Sequence, residues 1–439
     1  MSQLLAPPVC ESDAALPCWA GPALDPQAFE RVRRAMVLDH CKWDPQVGDT
    51  GTLAPFPLIL GDSTWRQLAQ WAEALAAEAS AAEAELLNRP DLLRLLGLPR
   101  DVRRLLASAR CEGLTPGLAR VIRFDFHATT EGWRISEANS DVPGGFTEAS
   151  SFARLMAEHS PGTLRLAGDP ADRWADALTA GVRPGSSVAL LVAPGYMEDQ
   201  QVVQFLARRL RERGLRPRIC EPRQIVWPGG RACLETEFRR SPIDAIVRFY
   251  QGEWLARFPA RSGWPRLFCG GATPVSNPGS ALLLESKRFP LLWSELATPL
   301  PTWRSLLPET RDPREVDWRH DDSWLLKAAY CNNGDEVVIR QRLPPAQWRK
   351  AAWRVRWNPG AWVAQRRFEG VAVPTPLGPM QPCIGVYTVD GRAAGIYGRM
   401  ASGAVIDYAA IDVAVLVGGC STLRGIGQQS PPPVLRGEG

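Results

Sequence analysis

The chain has 439 residues, enough for two or three packed regions, and its 45% apolar and 22% charged content is that of an ordinary globular protein. A formal net charge of only +4 excludes a strong nucleic-acid- or membrane-directed field but leaves an acidic small substrate open. The ten cysteines form no C-x-x-C pair, the four histidines make no zinc pattern, and no stretch is apolar enough to span a bilayer, so free buried thiols in a cytoplasmic protein are expected.

Residues 1–27, rich in Pro and Ala without a clear period, read as a loose arm, and a first helix is expected from Pro26 to about Leu38. The Pro- and Gly-rich stretch 41–60 reads as an ordered loop. A long helix should follow from a cap at Ser63 or Thr64 to about Leu87, with Trp65, Leu68, Ala72, Leu75, Ala79, Ala82 and Leu86 on one stripe. Pro90 and Pro99 bracket a shorter Leu-rich helix.

The stretch 120–145 is a hairpin turning at Thr129-Thr130-Glu131-Gly132. Strand alternation puts Arg123 with Asp125 on one face, and Glu137 with Asn139 likewise, so four polar groups converge. Apolar residues accompany them on both faces: Val121, Trp133 and Ile135 on one, Ile122, Phe124 and Phe126 on the other. A sheet covered on both sides follows, in which charges need partners. Hard oxygen donors suit magnesium, and a structural ion-pair network is the competing reading of the same residues. Phe146 to His159 reads as helix, placing the Pro143-Gly144-Gly145 turn at a helix start, a natural place for an anion.

From about 170 to 270 strands alternate with helices. Val188–Val192, Arg218–Cys220 and 243–249 are strands and 198–213 is a helix closed by Gly214, giving a small parallel α/β unit without a G-x-G-x-x-G turn. Beyond it, Lys287 is expected near a helix start, and Lys327 ends the apolar run Trp324-Leu325-Leu326. Asn332-Asn333-Gly334-Asp335 then turns the chain into Val337-Val338-Ile339, and a lysine beside such a flexible loop is a candidate phosphate clamp or, equally, a snorkelling surface group. Trp362–Gln365 is a strand, and 384–389 with 394–399 form a second hairpin across Asp390-Gly391. Residues 421–439 read as a disordered tail.

Taken together, the hairpin, the two lysines, Gln365 and Arg399 resemble the synthetase domain of the glutathionylspermidine synthase family, without its amidase domain. Their order in the chain, with metal carboxylates ahead of the lysine strands, is that of the family's circularly permuted ATP-grasp ligases. The resemblance implies an α/β (α+β) protein: a pre-ATP-grasp region over 28–280 containing a Rossmann-like α/β unit, then an ATP-grasp nucleotide-binding region over 281–420. It implies magnesium ligands at Asp125, Glu137 and Asn139, and an arginine at Arg123 that steadies the transferred phosphoryl, with a late active-site arginine at Arg399. ATP would be held by Lys287, Lys327, Gln365 and the loop at Gly334, and Glu253 with Trp254 would face the acceptor.

The implied activity is an ADP-forming ligation of a carboxylate to an amine, with ATP and Mg2+ as cofactors and small molecules, peptides or polyamines among them, as partners rather than nucleic acid or membrane. Val142 and Gly144 stand where the family holds its peptide with hydroxyls, and Ala328 and Asn332 stand where it has a proline and an arginine. The acid and amine are therefore left unnamed. The rival reading is a non-catalytic ATP-binding protein that keeps a degenerate ATP-grasp fold.

Overall fold

The computed structural model describes residues 17–47, 50–108, 117–330, 337–403, 405–406 and 409–418. Strand β1 (Cys18–Ala20) lies where a loose arm was expected, and it pairs antiparallel with β2 (Leu58–Gly61), inside what reads as a loop. Short strands at Pro-rich segments carry too few alternating residues to show a period. Between them, helix α1 (Pro26–Asp39) starts on Asp25, whose carboxylate accepts from the Gln27 and Ala28 amides. Helix α2 (Asp62–Leu87) buries the whole predicted stripe from Trp65 to Leu86. Of the segment between Pro90 and Pro99, only a 3-10 turn, Leu93–Leu96, is helical, and α3 (Arg100–Ser108) begins after Pro99.

Strands β3 (Val121–Thr129) and β4 (Gly132–Asn139) form the expected hairpin, with Arg123 opposite Asn139 and Asp125 opposite Glu137. A bulge follows Asp125, leaving Ser136 as the extra residue, so that Phe126 faces Ile135 and Ala128 faces Trp133. Trp133 and Ile135 therefore join the Phe124 and Phe126 face, contrary to strict alternation, and both pack in the main core. The bulge lets one strand keep its acids on one side and its apolar residues on the other.

The parallel unit comprises β5 (Ser187–Val192), β6 (Arg216–Cys220), β7 (Ala245–Phe249) and β8 (Val275–Ser276) in the order β8-β7-β5-β6, all pairs parallel. In β5, Ala189 and Leu191 face one core and Val188, Leu190 and Val192 another, as expected for a strand covered on both sides. Helix α4 (Met197–Glu212) joins β5 to β6.

The next sheet runs β9-β12-β10-β11, from β9 (Thr310–Arg311), β10 (Trp324–Ala328), β11 (Val337–Val338) and β12 (Trp362–Arg366). Strands β10 and β11 pair antiparallel, Lys327 opposite Val337; the loop between them, with Asn332 and Gly334, lies outside the described residues, as does the 421–439 tail. This sheet has its own small core of Trp318, Trp324, Trp362, Leu326 and Val355.

Last come β13 (Gly378–Val389), β14 (Arg392–Ala401), β15 (Ile411–Val413) and β16 (Val415–Gly418). The turn Asp390-Gly391 has both residues in left-handed conformation, as a two-residue hairpin demands. Strand β13 pairs with β3, giving the central order β15-β14-β13-β3-β4, while β16 pairs with β2. Two stretches more than 200 residues apart in the chain thus build one sheet.

Candidate active site

The polar face of the β3–β4 hairpin separates two adjoining chambers that share Arg123, Asn139, Tyr397 and Arg399. One is a slot of about 130 Å³ between the hairpin and the β9–β12 sheet, walled by Leu325, Val337, Ile339 and Phe368 and bordered by Asp125, Glu137, Lys327 and Gln365. The other, of about 190 Å³, is lined by Val142, Gly144, Gly145 and a set of carboxylates with Lys42. Among the described residues, no tryptophan lines either chamber.

Arg123 grips Asp125 with two parallel bonds, Nε to Oδ1 at 2.7 Å and Nη2 to Oδ2 at 3.0 Å, and Nη1 donates to the Gly144 carbonyl at 2.9 Å. Its guanidinium lies 5.1 Å from the centre of the Tyr397 ring. Asn139 Nδ2 donates to Asp125 Oδ2 at 3.0 Å, and the Tyr387 hydroxyl also donates to Gly144 O. Lys287 Nζ sits 3.2 Å from Glu137 Oε2 and 3.4 Å from Glu285 Oε1. Burial opposes ionisation of Glu137, but Lys287 and Lys327 outweigh it and hold the carboxyl at about 2.

Lys287 lies in the turn between the short helix Leu282–Glu285 and the 3-10 helix Phe289–Leu292, near a helix start as expected, and its amide donates to Ala329 O at 2.9 Å, tying the turn to the end of the Lys327 strand. Lys327 Nζ crosses the slot to the carbonyl of Ser136, the bulge residue, at 2.9 Å. His127 Nε2 meets Ser136 Oγ at 3.0 Å, and burial drives its pKa down to about 4, so the ring is neutral. Gln365 is held by Thr310 Oγ1 at 3.0 Å from its Nε2.

Of the residues singled out from sequence, Arg123, Asp125, Glu137, Asn139, Lys327, Gln365 and Arg399 converge on the slot. Val142 and Gly144 face the second chamber, and Lys287 touches the site through Glu137. Glu253 is elsewhere: it lines neither chamber, and burial, with Asp141 nearby, pushes its carboxyl up to about 7. Gly334 lies outside the described residues. Sequence reasoning did not find Lys42, Glu148, Asp199, Tyr387 or Asp412. Only Tyr397 carried a signal, lying in the 394–399 hairpin strand that ends at Arg399.

Asp125 and Glu137 face each other across adjacent strands, a spacing of roughly 5 Å between Cβ atoms. With Asn139 they make an oxygen donor set that suits magnesium, beside two lysines and an apolar slot that suit a nucleotide. Among the described residues, no group of three or more His, Cys, Asp or Glu side chains could hold a metal ion.

The fold is of the ATP-grasp class. The chain belongs to the glutathionylspermidine synthase preATP-grasp family, whose model matches residues 61–417. Among solved structures it is similar to a glutathione synthetase-like effector from Globodera pallida, with 12% identity, a TM-score of 0.59, and coverage of 89% of this chain and 97% of that one. A putative gamma-glutamylcysteine synthetase from Methylobacillus flagellatus also matches, at 14% identity and a TM-score of 0.40 over 72% of this chain and 82% of its own. No curated protein matches. No described helix is long and apolar enough to cross a membrane.

Proposed function

We propose that the protein is an ADP-forming carbon–nitrogen ligase that activates a carboxylate with ATP and joins it to an amine. The observation that carries this reading is the placing of Arg123, Asn139 and Arg399 at the boundary of both chambers. A nucleotide in the slot would present its terminal phosphate at the same boundary that a substrate in the second chamber reaches. Asp125, Glu137 and Asn139 would hold Mg2+, which would supply positive charge to offset that of the phosphates.

Lys287 and Lys327 would take phosphate oxygens, Gln365 the base, and Arg123 with Arg399 the charge that moves as the substrate carboxylate attacks the terminal phosphate. The carboxylate oxygen bonds to phosphorus as the bond to ADP breaks. The amine then attacks the acyl carbon, phosphate leaves with the bonding pair, and the proton lost by nitrogen passes to solvent or a carboxylate. The Arg123 bond to the Gly144 carbonyl would hold the 142–145 turn near the reacting carboxylate.

The test is ADP release by the purified chain with Mg2+ and ATP against pools of amino acids, small peptides and amines, with hydroxylamine as a trap for the activated acid. Acceptor-stimulated ADP and a hydroxamate product are expected. Tight ATP binding without ADP release on any pool would leave a nucleotide-binding protein without ligase chemistry.

A further inference from the structure

The second chamber contains an ammonium of the protein's own. Helix α1 ends at Asp39, and Cys41 takes a left-handed conformation, φ +61°, unusual for a residue with a side chain. That reversal lets the Lys42 amide donate to Met36 O at 2.9 Å and sends the side chain inward, where it is only 4% exposed. Its Nζ meets three carboxylates: Glu148 at 2.7 Å, Asp412 at 3.0 Å and Asp44 at 3.1 Å. Nζ donates a hydrogen bond to Asp412 Oδ2, while Asp44 Oδ1 is close enough for charge pairing but has no hydrogen-bond partner among the described residues.

The seat is built from four separate elements. Asp412 lies on β15 and also accepts from the Tyr397 hydroxyl at 2.6 Å, Glu148 belongs to the helix after the Gly144-Gly145 turn, and Asp44 is fixed by its amide to Gln201 Oε1 of α4 at 3.1 Å. Burial works against the charge on Lys42, but the three acids outweigh it and the group holds its proton well above the ordinary lysine range. The other charges facing the chamber do not make a second seat. Arg123 and Arg399 are positive, Glu198 sits at the exposed rim, and Asp199 is raised to about 8 by burial and by Glu198, so it keeps its proton near neutrality.

We propose that Lys42 is a tethered occupant of the chamber's one strongly cation-binding seat among the described residues, and that it fixes specificity for an acceptor with no second ammonium, a monoamine rather than a di- or polyamine. The naming of an acceptor rests on the ligase reading; the occupied seat does not. A polyamine entering the chamber would have to displace Lys42 or bring its second charge against Arg123 and Arg399, with Glu198 at the exposed rim to meet it.

The experiment is thermal unfolding and calorimetry of the wild type, Lys42→Ala and Lys42→Met with n-butylamine, 1,4-diaminobutane and spermidine, beside ADP release with the same amines. The wild type should show no saturable response to the diamine or spermidine, and neither should stimulate ADP release above the monoamine. Lys42→Ala should gain a saturable rise of about 2–4 °C with n-butylamine, as a free alkylammonium refills the seat. Saturable spermidine binding by the wild type overturns the proposal, as does a folded Lys42→Ala that responds no more than the wild type. If neither variant folds, the wild-type arm decides by itself. Absence of ADP release with every amine counts against the ligase reading and leaves the thermal arms able to judge the seat.

Discussion

Gly385 stands directly across from Asp125 in the central sheet, and the space its side chain would need is filled by Arg123. A Cβ there would lie 2.7 Å from Arg123 Cδ and 3.0 Å from Asp125 Oδ1. Gly385→Ala should push the arginine out of its two-bonded grip. Overpacking of this kind costs about 1–3 kcal/mol. ATP-dependent turnover should fall at least about tenfold, in the range of a lost transition-state donor, while far-ultraviolet circular dichroism is unchanged. Full activity in the alanine variant would mean that the Arg123–Asp125 fork is dispensable.

Glu137→Gln should abolish magnesium-dependent ADP release, by about 10²-fold or more, because the carboxylate opposite Asp125 would be gone while the shape remains. The same substitution has a stability signature. The folded carboxyl ionises at about 2 against an ordinary 4.5, so its contribution is complete above the unfolded value and is lost as pH falls through the folded one. Melting curves from pH 5 to 2 should therefore decline less steeply in Glu137→Gln than in the wild type. Parallel declines would show that the Lys287 and Lys327 pairing contributes nothing.

Lys327→Met removes the ammonium that spans the slot to Ser136 O while keeping most of the apolar stem. The KM for ATP should rise about tenfold, the loss of one charge-assisted bond of about 1.5–3 kcal/mol, with the amine KM little changed. An effect confined to the amine would place the lysine on the wrong side of the hairpin.

Asp199 has its Oδ2 buried without a hydrogen-bond partner among the described residues, and its folded pKa is raised to about 8. An acid that holds its proton when folded but not when unfolded makes stability fall as pH rises between the two values. Asp199→Asn should thus raise the melting temperature relative to the wild type at pH 8 and leave it close to the wild type at pH 4. A variant less stable at both pH values would show that the carboxylate has a partner it needs.

Much of this architecture is written locally. The stripe on α2, the alternation of β3 and the Asp390-Gly391 turn each follow from a period or a dipeptide, and each forms as read. The bulge at Ser136 has no such mark, since its neighbours alternate normally, and it alone moves Trp133 and Ile135 across the sheet. Lys42 was invisible for a different reason. It lies in an aperiodic loop, and its three carboxylates come from positions 44, 148 and 412, a coincidence only tertiary structure creates. Glu253 shows the converse: the family resemblance implied that it faces the acceptor, yet it lines neither chamber and lies near the carboxyls of Asp141 and Glu285.

The pairing of β3 with β13 also sets a timetable for synthesis. Asp125 leaves the ribosome some 260 residues before Gly385, its neighbour in the sheet. Until then the inner edge of the hairpin has no strand to bond, and Arg123 and Asp125 have no floor beneath them. Such long-range closure is slow and leaves a strand edge exposed to other chains. Nascent chains halted before residue 378 should therefore need a chaperone and bind no nucleotide, however well their first three hundred residues have folded.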